Sequence, residues 1–346
     1  MIKKIIRVLQ VASAFIGTIV GAGFASGKEI VQFFTQYQDN GTLGAALSGI
    51  VITLAGTKMM IYARRIGAYS FNELVIHIFG DRLGTAIQAL IFFVILGITG
   101  VMLAGAGAVF QEQLGWHRQI GIVLALAVGF LFLSKGIRGL LLINTLVVPM
   151  LAAFVLAVFL GRGMVPNAVW LPGNIRWVPA AVSYASFNIL TALVVLVPLA
   201  KETEDESVLW FGGILGGAGL GLILILIHFL LLGSPESHGF EMPMAEIVRH
   251  FGPLIHAGFA AVVFGEILTT FIGNIFGLAR QLRSTFPLIS NIRTAMLILF
   301  AGAFLISQAG YGSLIRTLYP FFGILCVAII LYMLWIRLPK KGGGGR

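Results

Sequence analysis

The chain has 346 residues, of which 58% are hydrophobic and only 10% charged, with a formal net charge of +10. A soluble domain carries about 25% charged residues, so this chain cannot cover a water-facing surface and reads as an all-α integral membrane protein. The basic residues are scattered over short connections, which excludes a nucleic-acid patch and suits the positive-inside pattern of membrane proteins.

A helix needs about 20 apolar residues to cross a bilayer. Ten stretches meet that measure, at roughly 5–37, 42–63, 84–112, 119–134, 139–160, 177–200, 209–232, 253–280, 292–308 and 313–336. Met1 to Arg7 is basic and then apolar, but the segment runs past any cleavage site and reads as an uncleaved first helix. With the N-terminus inside, seventeen Lys and Arg fall on inner ends and loops and five on outer ones, Lys28 standing apart within span 1. That bias places both termini in the cytoplasm, in a multi-pass protein of the plasma membrane.

Span 1 is interrupted by Gly17-Thr-Ile-Val-Gly-Ala-Gly-Phe-Ala-Ser-Gly-Lys-Glu29. Ser26-Gly-Lys-Glu29 has the S-x-x-E form of a capping box, a helix-start signature. Two half-helices joined by unwound chain are the mark of a transporter binding site. The competing reading is close packing of a continuous helix through the pairs Gly17/Gly21 and Gly23/Gly27.

Ten spans divide into residues 1–160 (spans 1–5) and 161–341 (spans 6–10), with 342–346 as a flexible tail. Five spans per half give the halves opposite orientations, so an inverted repeat is expected. Glu73-Leu-Val-Ile-His-Ile-Phe-Gly80 and Glu246-Ile-Val-Arg-His-Phe-Gly252 occupy corresponding connections, about 172 residues apart. By that symmetry span 6 pairs with span 1. Its polar island Ser183-Tyr184-Ala185-Ser186-Phe187-Asn188 marks a second expected break, with hydrogen bonding across helices as the alternative. Residues 161–177, with Pro166, Pro172 and two tryptophans, read as an outer loop. Gly213, Gly217 and Gly221 of span 7, and the span 3 series Gly97, Gly100, Gly105 and Gly107, read as packing glycines.

Span 8 carries Glu266 near the bilayer centre, with Thr269 and Thr270 on the same helical face and Asn274 two turns on. An intramembrane carboxylate is a functional-site candidate by default. These three side chains can coordinate Na⁺, or Glu266 can carry a proton; the plain alternative is an ion pair with Lys28. Glu29 is expected to be occupied as the cap partner of Ser26. Cys326 is the only cysteine, and no C-x-x-C, H-E-x-x-H, Walker-type or G-x-S-x-G motif occurs, so no enzyme activity and no resident cofactor or metal centre is expected.

The run Gly17-x-x-Val20-Gly21-Ala22-Gly23-Phe24-Ala25-Ser26-Gly27 resembles the unwound first-helix motif of the amino acid-polyamine-organocation superfamily. With Lys28-Glu29 added it resembles the YkvI-like bacterial membrane proteins. The resemblance implies a LeuT-type fold of ten helices in a five-plus-five inverted repeat, helices 1 and 6 discontinuous. It further implies a substrate bound between those helices and moved by alternating access. It implies a Na⁺ site at Val20, Gly23, Thr269 and Thr270. Glu266 departs from the simple Na⁺ pattern and favours proton coupling or a cationic substrate.

On this basis the expected function is secondary transport of a small amino acid or related amine, coupled to Na⁺ or H⁺. Amides from Gly23 to Gly27 would hold a substrate carboxylate. Ser183, Ser186 and Asn188 would contact polar groups, and Phe24, Tyr184 and Phe187 would shape the pocket around Gly21, Ala22 and Ala25. Glu266, Thr269, Thr270 and Lys28 would couple the ion. Two other classes stay open: a non-transporting receptor subunit on the same fold, as in spore germinant receptors, and a passive channel.

Overall fold

The computed structural model describes residues 2–135, 138–162, 175–203, 205–285 and 291–340. The outer-loop residues 163–174, with Pro166 and Pro172, and the tail 342–346 lie outside them. The described chain is helical: α1 Ile2–Ile19, α2 Ala22–Ala25, α3 Lys28–Phe33, α4 Asn40–Ile66, α5 Phe71–Leu114, α6 Arg118–Lys135, α7 Arg138–Arg162, α8 Trp177–Glu202, α9 Glu206–Leu232, α10 Pro243–Arg249, α11 Pro253–Thr285, α12 Ile292–Ser307 and α13 Tyr311–Trp335. Among the described residues, α4, α5, α8, α9, α11 and α13 are long and apolar enough to cross a membrane. Shorter apolar stretches lie in α6, α7 and α12. Leu54, Phe93, Leu222, Leu305 and Ile324 are each more than half exposed, a surface suited to hydrocarbon rather than water.

The helices sort into two groups. The first packs α1, α4, α8 and α9 against one another; in the second, α5 packs against α6, α11 and α12. Helix α13 bridges them through α8 and α5, and α7 through α11 and α9. Glycine sets the spacing within the first group. A Cβ on Gly217 would stand 2.8 Å from the Thr53 Cα, and Gly221 lies against Gly49. One turn round the same helix, a Cβ on Gly216 would meet the Ala12 carbonyl at 2.9 Å. Helix α9 therefore carries one glycine row toward α4 and a second toward α1, so that backbones meet directly. In α5, Gly97, Gly100, Gly105 and Gly107 receive Phe322, Ile306, Tyr311 and Ile122 in the same way.

The two short amphipathic segments end alike. Gly80 has φ 75 inside α5 and separates its first turns from the long span. Gly252 has φ 102 between α10 and α11. Both conformations are costly for residues other than glycine.

One end of the bundle, the terminal face, gathers the N-terminal turn of α1, the α8–α9 connection and the end of α13. There Lys4 Nζ lies 3.0 Å from Asp205, Arg65 forks onto Glu206 at 2.7 and 3.1 Å, and Arg65 also donates to the Pro339 carbonyl at 2.8 Å. Asp205 in turn caps α9 by accepting from the Ser207 amide at 2.9 Å.

Two expectations fail here. Helix α8 runs unbroken from Trp177 to Glu202. It contains no glycine, and Ser186, Asn188 and Thr191 bond back to their own helix. Ser186 Oγ donates to the Val182 carbonyl at 2.7 Å, Asn188 Nδ2 to Tyr184 at 3.0 Å, and Thr191 Oγ1 to Phe187 at 2.9 Å. Polar side chains that bond to a carbonyl one turn back need no unwinding. Nor does Ser26–Glu29 close a capping box. The Ser26 amide already donates to the Ala22 carbonyl at 2.8 Å, leaving Glu29 nothing to reach back to. Helix α3 starts instead at Gly27, whose φ of 80 turns the chain.

Gly217→Val should drive a branched side chain into Thr53 and separate α4 from α9, at a cost of about 1–3 kcal/mol or more. Gly219→Val meets only the tip of Ile16, at 3.2 Å, and should be tolerated. Thermal unfolding of the two variants in detergent checks the contrast.

Candidate functional site

Span 1 leaves the helix twice. After Ile19 the chain turns extended at Gly21 (φ −129, ψ −173), makes one turn over Ala22–Ala25, and breaks again at Ser26–Gly27. The first interruption faces a cavity of about 390 Å³. Helices α1 and α8 of the first group form one wall, α5 and α11 of the second form the opposite wall, and Glu29 and Tyr319 sit among the lining residues. From that level the cavity extends to Val194, Val195 and Gln281, toward the terminal face. Val195 is 51% exposed and marks the mouth.

Of the residues singled out from sequence, Val20, Gly21, Phe187, Asn188, Thr269 and Thr270 line this cavity, and Asn274 joins them. Gly21 and Thr270 face each other closely; a Cβ on Gly21 would stand 3.9 Å from Thr270 Oγ1. The interrupted backbone at the end of α1 and a hydroxyl on α11 thus adjoin each other in the cavity wall. Thr269 Oγ1 donates to the Glu266 carbonyl at 3.1 Å.

The others pack behind the wall. Ala22, Phe24, Ala25 and Ser26 are fully buried, and Gly23 and Gly27 lie with them. The amides of Ala25, Ser26 and Gly27 are taken by the carbonyls of Gly21, Ala22 and Phe24. Those three amides are therefore not on offer to a carboxylate. Ser183 and Tyr184 are buried, their hydroxyls without a partner among the described residues, and Ser186 is spent on its own helix.

Glu266 is 1% exposed, and its Oε1 has no hydrogen-bond partner among the described residues. It stands one turn beyond Thr270, on the closed side of the cavity. The alternative reading, an ion pair with Lys28, does not form. Lys28 Nζ donates instead to the carbonyls of His238 at 3.1 Å and Phe240 at 2.5 Å. The carboxylates of Glu241 and Glu112 lie near enough to balance its charge through space.

Two lining residues escaped the sequence reading. Glu29 was assigned to a cap that does not form, and it is 4% exposed and hydrogen-bonded to Tyr319. Tyr319 had one signal, a polar ring before Pro320 in the middle of an apolar span. Gly23 makes room for Glu29: a Cβ there would fall 1.8 Å from Glu29 Oε1.

The face opposite the termini is sealed. Residues 234–252 lie across it, with Met244 donating to the Ser26 carbonyl at 2.9 Å. Glu112, at the end of α5, accepts from the amides of Glu241 at 2.7 Å and Met242 at 2.9 Å. The Glu241 carboxylate accepts from the Gly312 amide. Ser26 Oγ and the Tyr311 hydroxyl meet at 2.8 Å. His228 is fully buried here; its two ring nitrogens meet Thr35 and Thr42, each at 3.1 Å.

Hydrogen bonds to charged groups contribute about 1.5–3 kcal/mol each. Glu112→Ala removes two and should loosen the segment over this face. Ser237 is 1% exposed, so Ser237→Cys should resist a maleimide in the parent and react about tenfold faster in Glu112→Ala, about 1.4 kcal/mol of opening.

No protein-family model matches the sequence. The fold is similar to that of Mhp1 in its inward-facing conformation, with a TM-score of 0.63 and 15% identity over 94% of this chain and 75% of Mhp1. It is also similar to the closed conformation of Mhp1, a nucleobase-cation-symport-1 family transporter, with bromovinylhydantoin bound. There the TM-score is 0.57, with 15% identity over 90% and 74% of the two chains. The architecture is accordingly the LeuT-type fold. In sequence, the chain is 26% identical over 333 residues to the uncharacterized protein YyaD of Bacillus subtilis (strain 168), covering 94% of this chain and 96% of YyaD. It is 38% identical over 337 residues to the uncharacterized membrane protein YkvI of the same organism, covering 96% of each. At that identity and coverage, the chain belongs to the YkvI family of membrane proteins.

Proposed function

We propose that the protein is a secondary transporter. It would carry a small amino acid or related amine across the plasma membrane by alternating access, with Na⁺ or H⁺ as the coupling ion. The observation that carries this reading is the placement of the cavity. It lies between two helix groups at an interruption of the first span, sealed on one face and reaching toward the other. Rocking one group against the other about such a site exchanges which face is open. The likeness to a cation symporter supports the reading through fold, while the cavity supports it through chemistry.

In this proposal the ten spans form an inverted repeat of residues 1–160 and 161–341, within the amino acid-polyamine-organocation superfamily. The matched glycines at 80 and 252 support the division. Both termini are cytoplasmic, as the charge bias suggests, so the cavity faces inward. Val20, Thr269 and Thr270 surround the ion site. Glu266, a buried carboxyl without a cationic partner among the described residues, takes up a cation during the cycle, because an isolated charge at that depth is costly.

The test needs no known substrate. Val195→Cys at the mouth should react with an impermeant maleimide from the cytoplasmic side, at a rate that changes several-fold on adding Na⁺ or stepping the pH. Cys326 is buried and contributes little background. Glu266→Gln should fold and hold that rate constant under both treatments. A rate in the parent that ignores both ions removes the coupled-transport reading, and an ion response kept intact in Glu266→Gln removes the role of Glu266.

A further inference from the structure

We infer that Glu29, with the rings of Phe187 and Tyr319, forms a recognition site for the charged nitrogen of an organic ammonium ion. This rests on the transport reading of the same cavity and names the chemistry of its cargo.

Among the described residues that line the cavity, Glu29 is the only one with an ionisable acid group, and none is Lys, Arg or His. A carboxylate has about four lone-pair positions, of which the Tyr319 hydroxyl uses one, so acceptor capacity is left for a ligand. Gly23 keeps the space that this side chain occupies, since any Cβ there would collide with the carboxyl itself. The rings of Phe187 and Tyr319 also line the cavity, with centroids 5.1 Å apart. Aromatic faces beside a carboxylate attract ammonium groups, and the attraction strengthens when water is excluded. Helix α1, 18 residues long, directs its C-terminal carbonyls at the same region, and that end carries partial negative charge. The acid group of Glu29 and the carbonyl end of α1 both favour a cation at this wall.

The rest of the lining sets the other half of the ligand. Ile95, Ile98, Met102, Val194 and Phe276 offer an apolar bed, and about 390 Å³ takes a compact organic molecule. An ammonium head at Glu29 with an alkyl or aryl body toward Val195 satisfies both regions. A carboxylate ligand meets this acid group and the carbonyl end of α1 with no Lys, Arg or His among the described lining residues to balance it, which is unfavourable. An amine without a carboxylate is therefore sufficient.

The test uses the full chain in detergent and follows thermal unfolding, since a ligand of the native state raises the midpoint. The probes are 2-phenylethylammonium, tetramethylammonium, 3-phenylpropionate and Na⁺ alone. The two ammonium ions should stabilise, and 3-phenylpropionate should not. Glu29→Gln should weaken ammonium binding about tenfold or more, which is 1.4 kcal/mol or more. Phe187→Leu leaves the carboxylate in place and should weaken tetramethylammonium several-fold, which covers a Glu29→Gln protein that fails to fold. Equal stabilisation by 3-phenylpropionate, stabilisation by the ammonium ions no larger than that by Na⁺ at the same concentration, or ammonium binding undiminished in either variant overturns the assignment. Val195→Cys separates the two levels. If its reactivity still switches with the ion while ammonium selectivity is missing, the ligand class is wrong and transport stands. If ammonium ions bind selectively while the cysteine never switches, the site stands and transport fails.

Discussion

Backbone groups inside a membrane have no water to bond, so a chain can leave the helix there only where protein or a hydrated cavity takes over. The first span does so twice, and each departure is resolved differently. At Val20 and Gly21 the released backbone faces the cavity beside Thr270. At Ser26 and Gly27 it is sealed by protein: the Ser26 carbonyl takes the Met244 amide, and the Ser26 hydroxyl meets Tyr311. Between the two lies a single turn, Ala22–Ala25, buried throughout. The position of Glu29, the floor of the cavity and the seat of the 234–252 segment all follow from where these two interruptions fall.

Glycine serves two separate purposes in this arrangement. In α9 the glycines remove side chains so that two neighbouring helices touch along their backbones, which makes the first helix group a tightly spaced body. In span 1 they allow the chain to turn, at Gly27, and leave a pocket for a charged side chain, at Gly23. The same residue type thus stiffens one element and opens another.

Much of the fold was legible before any coordinates. Hydropathy located the long spans, and the Phe-Gly endings near residues 80 and 252 located two short amphipathic helices, because glycine at positive φ leaves a local signature. The interruption of span 1 was legible for the same reason. Span 6 misled because Ser186, Asn188 and Thr191 look like exposed polarity in a one-dimensional reading, whereas each bonds to a carbonyl one turn back. Glu29 misled in the opposite direction. A capping-box pattern depends on a free amide at the first residue, and sequence spacing carries no record that Ala22 already holds it. Which neighbour Lys28 would choose was likewise invisible, since its carbonyl partners lie 210 and 212 residues away.

The sealed face has a further consequence. Its closing contacts are hydrogen bonds to backbone: Glu112 to two amides, Glu241 to one, Lys28 to two carbonyls, and Met244 to Ser26. Parting the segment from the helices leaves each of those groups in want of a partner, and only incoming water can supply it. Exposure of this face is thus a hydration step as much as a mechanical one. Solutes excluded from protein surfaces oppose such steps. Under the proposed alternating access, the equilibrium between the two facings would therefore respond to the osmotic strength of the medium on that side of the membrane, in addition to any ligand.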